Sequence, residues 1–386
     1  MADNCAFRRE SVSEGSLKTR NIVQVSAYYP PNLGGQENAV HDLAHRLAER
    51  GHAVQVLTST EGGGPQGPTQ EDNVLVHRLR GFVFGHAPIM PQFLARLIRI
   101  TRRDTIVHVH VGQAFTPEIV WLAAKLRRFA YIAQLHIDFE PSGPAGLLLP
   151  LYKRFVLRRV LRSAHTVAVL NEKMLRIVKE TYGYKGRITI LPNGIEEAFF
   201  QIKRPVLAAK PSRTLRLLFV GRLSKQKNIP ALLKALTLTK RKVHLDLIGE
   251  GEESAIVQQC IKDYGLSNVA LHGRLPRNEV MRFYETSHVL IMPSLYESQP
   301  LVLLEALAAR IPIIGTNVIG VAEHIGDAGI VVDPTPAALA AGINTYDTIY
   351  ESLPEMVARG DIFAQKLRWA QVVKRYEALY DEVAAA

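Results

Sequence analysis

The chain has 386 residues, 47% of them hydrophobic, and a net charge of +11. Its length exceeds one ordinary core and predicts two domains, and its apolar share excludes a disordered chain. No apolar run is long enough for a membrane span, the only cysteines are the distant Cys5 and Cys260, and the basic residues do not interleave with aromatics, so a spanning protein, a thiolate metal site and a nucleic-acid binder are all disfavoured.

The expected setting is a reducing cytoplasm, and the charge suits phosphate-bearing small molecules or anionic lipid. Residues 1–20 carry Arg8, Arg9, Lys18 and Arg20 without an apolar stretch and read as a disordered leader, not a secretory signal. From Asn21 onward, β-branched runs alternate with amphipathic stretches, the rhythm of βαβ units and parallel sheets. Strands are predicted at Asn21–Tyr28, Ala53–Ser59, Asn73–Leu79, Ile106–Val111, Tyr131–His136, Thr166–Leu170 and Arg187–Leu191. Helices are predicted at Gln36–Arg50, Pro117–Arg127, Leu147–Arg162 and Glu172–Tyr182, and Glu61–Gln70, rich in Gly and Pro, reads as a loop. This first domain, 21–195, ends at the turn signal Pro192-Asn193-Gly194 and is followed by a linker, 196–212.

The rhythm restarts in a second domain, 213–360, with strands at Leu215–Gly221, His244–Gly249, Val269–Gly273, Val289–Pro293, Ile311–Thr316 and Gly329–Asp333. A final helix over Asp361–Val383 repeats Trp369, Val373, Tyr376, Leu379 and Tyr380 at helical spacing. The fold class is therefore α/β, two similar open sheets in series. Ligands of such sheets bind beyond the carboxyl ends of the strands, so the residues just after each strand carry the chemistry.

Gly221 ends a strand, and Arg222 and Lys227 follow on the loop before a helix. A diphosphate carries about two negative charges, which two fixed cations can stabilise without a metal; a solvated basic turn is the other reading. After the strand at Val289, Glu297 precedes an apolar helix, Leu301–Ala309, and Glu305 lies within it. One carboxylate suits sugar hydroxyls and the other ribose hydroxyls, while the helix N-terminus between them offers N–H groups to a phosphate. Pro300 has no N–H, so that contact falls to Leu301 or Val302. Glu305 has Leu303, Leu304, Ala306 and Leu307 as neighbours, where a carboxylate needs partners.

His108 and His110 share a strand face and raise a metal site, but no third ligand stands at suitable spacing. Gly249-Glu250-Gly251 has Ser254 where a dinucleotide fingerprint needs its third glycine. Neither an Asp-x-Asp for a metal-bridged diphosphate nor a Gly-x-Ser-x-Gly hydrolase elbow occurs. Leu147–Arg162 sets Lys153, Arg154, Arg158, Arg159 and Arg162 among apolar residues; it is an amphipathic helix with a solvated basic face or, alternatively, a contact with anionic membrane.

The pair Glu297 and Glu305, with Gly221-Arg222 and Lys227 upstream, resembles the family 4 retaining glycosyltransferases. So do Tyr29-Pro30-Pro31 through Gly34-Gly35 to Arg50-Gly51-His52, and His108-Val109-His110, Pro192-Asn193-Gly194 and Gly249-Glu250-Gly251. The resemblance runs from about Asn21 to Tyr380 with the motifs in order. It implies the GT-B fold, two Rossmann-like open parallel-sheet domains facing across a cleft, with the last helix, within 361–386, crossing back to the N-terminal domain.

The resemblance further implies a nucleotide-sugar co-substrate with no cofactor and no metal. Arg222 and Lys227 would hold the donor diphosphate, Glu297 hydroxyls of the transferred sugar, and Glu305 the ribose. Main chain near Arg274 and Leu275 would face the nucleobase, His136 would stand near the donor sugar, and Gly34 and Gly35 would let the N-terminal loop approach the phosphates or the acceptor. Transfer would retain the anomeric configuration, the acceptor attacking on the face the diphosphate leaves. The sequence departs from the family pattern at Asn228, where Gly is common, and at Ser298-Gln299, where Gly-Phe is common; Ser298 and Gln299 could add polar contacts to the donor sugar, which bears on sugar identity. UDP is the expected nucleotide, and the acceptor a lipid-linked intermediate, a small polyol or a secondary metabolite. A nucleotide-sugar epimerase and a non-catalytic nucleotide-sugar sensor are the rival readings.

Overall fold

The structure, a computed structural model, describes residues 18–31, 34–84, 87–136, 149–203, 214–318 and 320–385. The expected leader lies outside these residues except at 18–20. Two sheets organise the chain. In the first, the strands stand in the order Arg187–Ile190, Thr166–Val169, Tyr131–Leu135, Thr105–Val111, Asn21–Val25, Ala53–Ser59, Val74–Leu79 and Gly67–Glu71. All neighbours are parallel except the last pair. The second sheet is wholly parallel, in the order Val269–Gly273, Val243–Ile248, Leu215–Val220, Val289–Met292, Ile313–Thr316 and Gly329–Val332.

The β-branched runs form central strands because parallel sheets bury both faces and so need unbroken apolar sequence; all seven residues of Thr105–Val111 are buried. Helices such as Gly35–Glu49 and Leu301–Ala308 cover the faces with buried Leu and Ala. Mixed α/β layering in two Rossmann-like domains agrees with the predicted fold class.

Three expectations are corrected. Part of the loop expected at Glu61–Gln70 is a strand, Gly67–Glu71, antiparallel at the sheet edge; Gly and Pro are tolerated there because an edge strand leaves one row of hydrogen-bonding groups unpaired. The helix expected over Leu147–Arg162 is described from 149 and changes winding, with a π-helical stretch at Lys153–Leu157 before Arg158–Ser163. Leu157, Val160 and Leu161 face the first core, while Leu151 and Phe155 are exposed.

The final helix is two helices, Leu353–Gln365 and Trp369–Ala385, and the chain crosses between lobes at 366–368 and not near Asp361. The break arises because Arg368 forms a parallel bridge with Ile195: the Ile195 N–H donates to the Leu367 carbonyl at 2.8 Å, and the Trp369 N–H to the Ile195 carbonyl at 3.4 Å. The first of these helices packs on the second lobe, where a Cβ at Gly360 would fall 2.8 Å from Leu307. The second buries Trp369, Val372, Val373, Tyr376, Leu379, Tyr380 and Val383 against Ile22, Val40, Leu43, Val54 and Val56 of the first lobe. Near the expected linker, Glu197–Phe200 is a short helix whose Phe199 and Phe200 join the second core, and residues 204–213 lie outside the described part.

Candidate active site

Each sheet reverses its strand order once. The reversal lies between Asn21–Val25 and Thr105–Val111 in the first sheet, and between Leu215–Val220 and Val289–Met292 in the second. Loops leaving two such strands diverge and open a crevice at their carboxyl ends. The loops at Gly221–Lys227 and at Pro293–Pro300 are the pair that flank the second crevice.

At that crevice Lys227 closes a 3₁₀ turn, Lys225–Lys227, and its ammonium pairs with Glu297 Oε1. Ser294 Oγ donates to the same oxygen at 2.9 Å, and Gln226 Nε2 donates to Glu297 Oε2 at 3.3 Å and to the Tyr296 carbonyl at 2.8 Å. Both carboxylate oxygens are thus held, with Glu297 only 9% exposed. Asn228 next to Lys227 is left-handed, φ 54°, a conformation Asn tolerates better than most residues. Its amide also donates to the carbonyls of Pro293 at 3.1 Å and Pro334 at 3.2 Å, a tie glycine could not make. The backbones meet closely here: a Cβ at Gly249, φ 137°, would fall 1.9 Å from the Gly221 carbonyl oxygen.

Glu305 lies in the helix that Pro300 caps. Its partners are Tyr284, whose hydroxyl donates to Oε2 at 3.0 Å, and Arg277, whose Nη2 donates to Oε1 at 3.2 Å. Burial pushes the Glu305 carboxyl up from the ordinary range, opposed by Arg277 and Tyr284. Leu301 and Val302 open the helix, half-buried, where the first N–H groups lack intrahelical partners. Arg274 and Leu275 follow the strand Val269–Gly273; Arg274 is exposed, and Leu275 packs on the second core.

From the first lobe, His136 stands just beyond Tyr131–Leu135, and Ser298 Oγ donates to its carbonyl across the cleft. Asn171 Nδ2 donates to the Ser298 carbonyl at 2.8 Å, and the Asn193 N–H donates to Gln299 Oε1 at 2.6 Å. His136 and the loop that carries Ser298 and Gln299, far apart in sequence, are thereby brought together, and Glu297, paired with Lys227 of the facing loop, directly precedes Ser298. Burial lowers the His136 imidazole to about 3, so it is neutral at physiological pH. Gly34 is the extended N-cap of Gly35–Glu49, and a Cβ on it would fall 2.1 Å from Glu37 Oε2. Burial raises the Glu37 carboxyl, and the positive charge of Arg222 opposes it, which sets Arg222 toward the start of this first-lobe helix. A Cβ on Gly35 would meet nothing within 4 Å.

Sequence reasoning missed Arg277, Tyr284 and Asp42, which accepts from Arg277 Nη1 at 3.2 Å, and the supports Gln226 and Ser294. Arg277 stands four residues beyond a strand end, where the rule that directed attention to Arg222 could have found it; Asp42 and Tyr284 carry no such signal. His108 and His110 stack at 4.4 Å between ring centres, and each has its Nδ1 in a hydrogen bond, with Tyr380 and His136 respectively.

Two family profiles match the sequence along most of its length. Glycosyltransferase Family 4 matches residues 33–199, and Glycosyl transferases group 1 matches residues 203–363. The chain belongs to the family 4 glycosyltransferases. One component of the human phosphatidylinositol N-acetylglucosaminyltransferase is 24% identical to this glycosyltransferase over 393 residues, 96% of this chain and 79% of that protein. The glycogen synthase of Mycobacterium tuberculosis is 27% identical over 359 residues, 84% of this chain and 85% of that one. Among solved structures, the Anabaena protein HepE in complex with UDP and glucose superposes with a TM-score of 0.74 at 16% identity, over 94% of this chain and all of that one. This likeness shows the GT-B fold of the transferase. The relatives are glycosyltransferases, not epimerases, so the epimerase reading falls.

Proposed function

We propose that this glycosyltransferase moves a hexose-type sugar from a UDP-sugar to an acceptor hydroxyl, with retention and without a metal ion. The observation that carries the reading is the convergence at the second crevice of Lys227, Gln226 and Ser294 on Glu297, with His136 joined to the same loop through Ser298. A carboxylate whose two oxygens are already oriented presents its remaining lone pairs in fixed directions, as recognition of sugar hydroxyls requires. Lys227 beside it, and Arg222 facing the first lobe, supply positive charge where a diphosphate would leave. Glu305, held by Tyr284 and Arg277, is the carboxylate for the ribose. HepE, of the same fold, binds UDP and glucose, which supports UDP as the nucleotide.

No side chain at the crevice is placed as a covalent nucleophile in this reading. The acceptor hydroxyl attacks on the face from which the diphosphate departs, and a phosphate oxygen takes its proton. The protein positions the two substrates, stabilises the departing charge and excludes water. The acceptor is a lipid-linked intermediate or a small polyol; the phosphatidylinositol in the name of the human relative and the net charge of +11 both support an anionic one. Among the described residues no helix is long and apolar enough to cross a membrane. We place the enzyme in the cytoplasm, with Leu151, Phe155 and the arginines around them as a peripheral membrane contact.

The test is transfer from UDP-sugars to polyol and lipid-linked acceptors in excess EDTA, with the product's anomeric configuration read by NMR. Acceptor-dependent release of UDP with retained configuration is expected. Loss of turnover that Mn²⁺ or Mg²⁺ restores would overturn the metal-free part, and an inverted product the retention. Nucleotide-sugar binding with no turnover on any acceptor would favour the sensor.

A further inference from the structure

From the His136 ring a run of buried polar groups, to which the reaction assigns no task, leads into the first lobe. His136 Nε2 is 2.8 Å from His110 Nδ1, and His110 Nε2 is 2.5 Å from Gln24 Oε1. Gln24 Nε2 donates to the Tyr380 hydroxyl at 2.9 Å, and that hydroxyl is 2.9 Å from His108 Nδ1. Gln24, His108, His110 and Tyr380 are essentially inaccessible to solvent. The run starts at the first-sheet reversal, on the strands Asn21–Val25 and Thr105–Val111, and ends on the helix Trp369–Ala385.

Buried imidazoles that are neutral each carry one N–H and one lone pair, and which nitrogen holds the hydrogen is set by the neighbour. Here the orientation of one amide decides it. The Gln24 oxygen faces His110, so His110 bears its hydrogen on Nε2 and accepts through Nδ1. His136 must then donate from Nε2. The Gln24 nitrogen fills one lone pair of the Tyr380 oxygen. From His136 through His110 and Gln24 to Tyr380, every bond points the same way.

We propose that Tyr380, Gln24 and His110 are positioning residues that hold His136 in one rotamer and one tautomer, with Nε2 protonated and Nδ1 left as an acceptor, so that His136 receives a hydroxyl hydrogen of the donor sugar. This rests on the reading that His136 faces the donor sugar. It also gives the crossing helix a part in the reaction: a hydroxyl on Trp369–Ala385 sets the hydrogen-bonding sense of a residue at the cleft without touching a substrate.

The test uses the full chain labelled with ¹⁵N-histidine, with resonances assigned by single substitutions. Long-range ¹H–¹⁵N correlation spectra report which nitrogen carries the hydrogen. The wild type is expected to show His136 and His110 both protonated on Nε2; the opposite tautomer at His136 would overturn the proposal. His110→Leu removes the acceptor, and His110→Asn restores an oxygen near the position of Nδ1. With His110→Leu, kcat is expected to fall about tenfold, the scale of one hydrogen bond worth ~1.4 kcal/mol. The donor KM and the affinity for UDP should stay within about twofold, and His110→Asn should recover most of the rate. Tyr380→Phe should lower kcat in the same sense with a smaller change.

A purely structural run would lower the folded fraction without moving kcat per folded molecule, so activities are normalised to active-site content by UDP titration. Wild-type kcat in His110→Leu, with His136→Ala inactive, would overturn the run while leaving the reading of His136 intact. Wild-type kcat in His136→Ala would overturn that reading and the proposal with it.

Discussion

Lys227 and Glu297 form one unit, so their loss reads out differently from the loss of Glu305. Lys227→Ala removes a positioned charge from the diphosphate and leaves Glu297 without its ion-pair partner. Turnover at saturating donor is expected to fall by about two to three powers of ten, the usual scale for one preorganised electrostatic contact. Near wild-type turnover would remove Lys227 from the mechanism. Glu305→Ala should weaken binding of free UDP, since ribose belongs to the nucleotide, whereas Glu297→Ala should leave UDP binding nearly intact and impair transfer. Calorimetry with UDP separates the two, and equal weakening in both variants would contradict the division of labour. Each of these three residues could be read from sequence because each follows a strand of the second sheet and stands out chemically from its neighbours. Arg277 could not be paired with its partners that way: it meets Asp42, 235 positions away, and only the folded chain shows that Glu305 is already engaged.

At the scale of elements, the strand Thr105–Val111 is unusual in burying two histidines, His108 and His110, inside a sheet. Burial lowers His108 to about 3, and likewise His136 at the end of the next strand, while His110 is also pushed well below its ordinary value. The ionisable groups facing them from the last helix, Tyr376 and Tyr380, are held neutral by the same burial. Unfolded histidine titrates near 6.5, so on acidification the unfolded chain takes up protons before the folded chain does. The stability these residues contribute is therefore complete above about pH 6.5 and is lost as pH falls toward 3, at ~1.4 kcal/mol per pH unit for each of His108 and His136. Denaturant midpoints between pH 7 and 5 measure it, and His108→Leu should flatten the slope by about one group's share. An unchanged slope would show that His108 titrates normally.

The same elements show why most strands were legible and some features were not. Long β-branched runs announce buried parallel strands, and the expected bounds at Ala53–Ser59 and Val269–Gly273 match those observed. The edge strand Gly67–Glu71 hides in a Gly- and Pro-rich stretch because an edge needs neither an apolar face nor a full set of donors. The break at 366–368 is hidden because the helical spacing of apolar residues continues on both sides of it. What interrupts the helix is the backbone of Ile195, and a remote backbone leaves no mark on local periodicity.

For the molecule as a whole, ion pairs join the lobes in addition to the hydrogen bonds of Ser298 and Gln299 with His136, Asn171 and Asn193. Arg277 Nη1 donates to Asp42 at 3.2 Å while its Nη2 holds Glu305, and Arg46 pairs with Glu196 at 2.7 Å. The Arg277 guanidinium is about two-fifths exposed, which places such a pair at ~0–1 kcal/mol. A shift of ~1 kcal/mol changes a two-state ratio about fivefold. Arg277→Ala is accordingly expected to increase the radius of gyration measured by small-angle scattering without donor, and saturating UDP-sugar should reverse part of the increase, because contacts from both lobes favour the closed form. Identical profiles for variant and wild type would show that Arg277 does not hold the lobes.

The seating of Trp369–Ala385 on the first lobe also orders events in time. Synthesis proceeds from the N-terminus, and domains made first generally fold first. Here the strands of the first lobe emerge early, yet part of the cover over Ile22, Val54, Gln24 and His108 is a helix made near the end. Through most of translation the lobe that carries His136 therefore exists with part of one face open beside the helix Gly35–Glu49. A growing chain can complete its second sheet while the first still waits, so the half of the enzyme begun first is the half finished last.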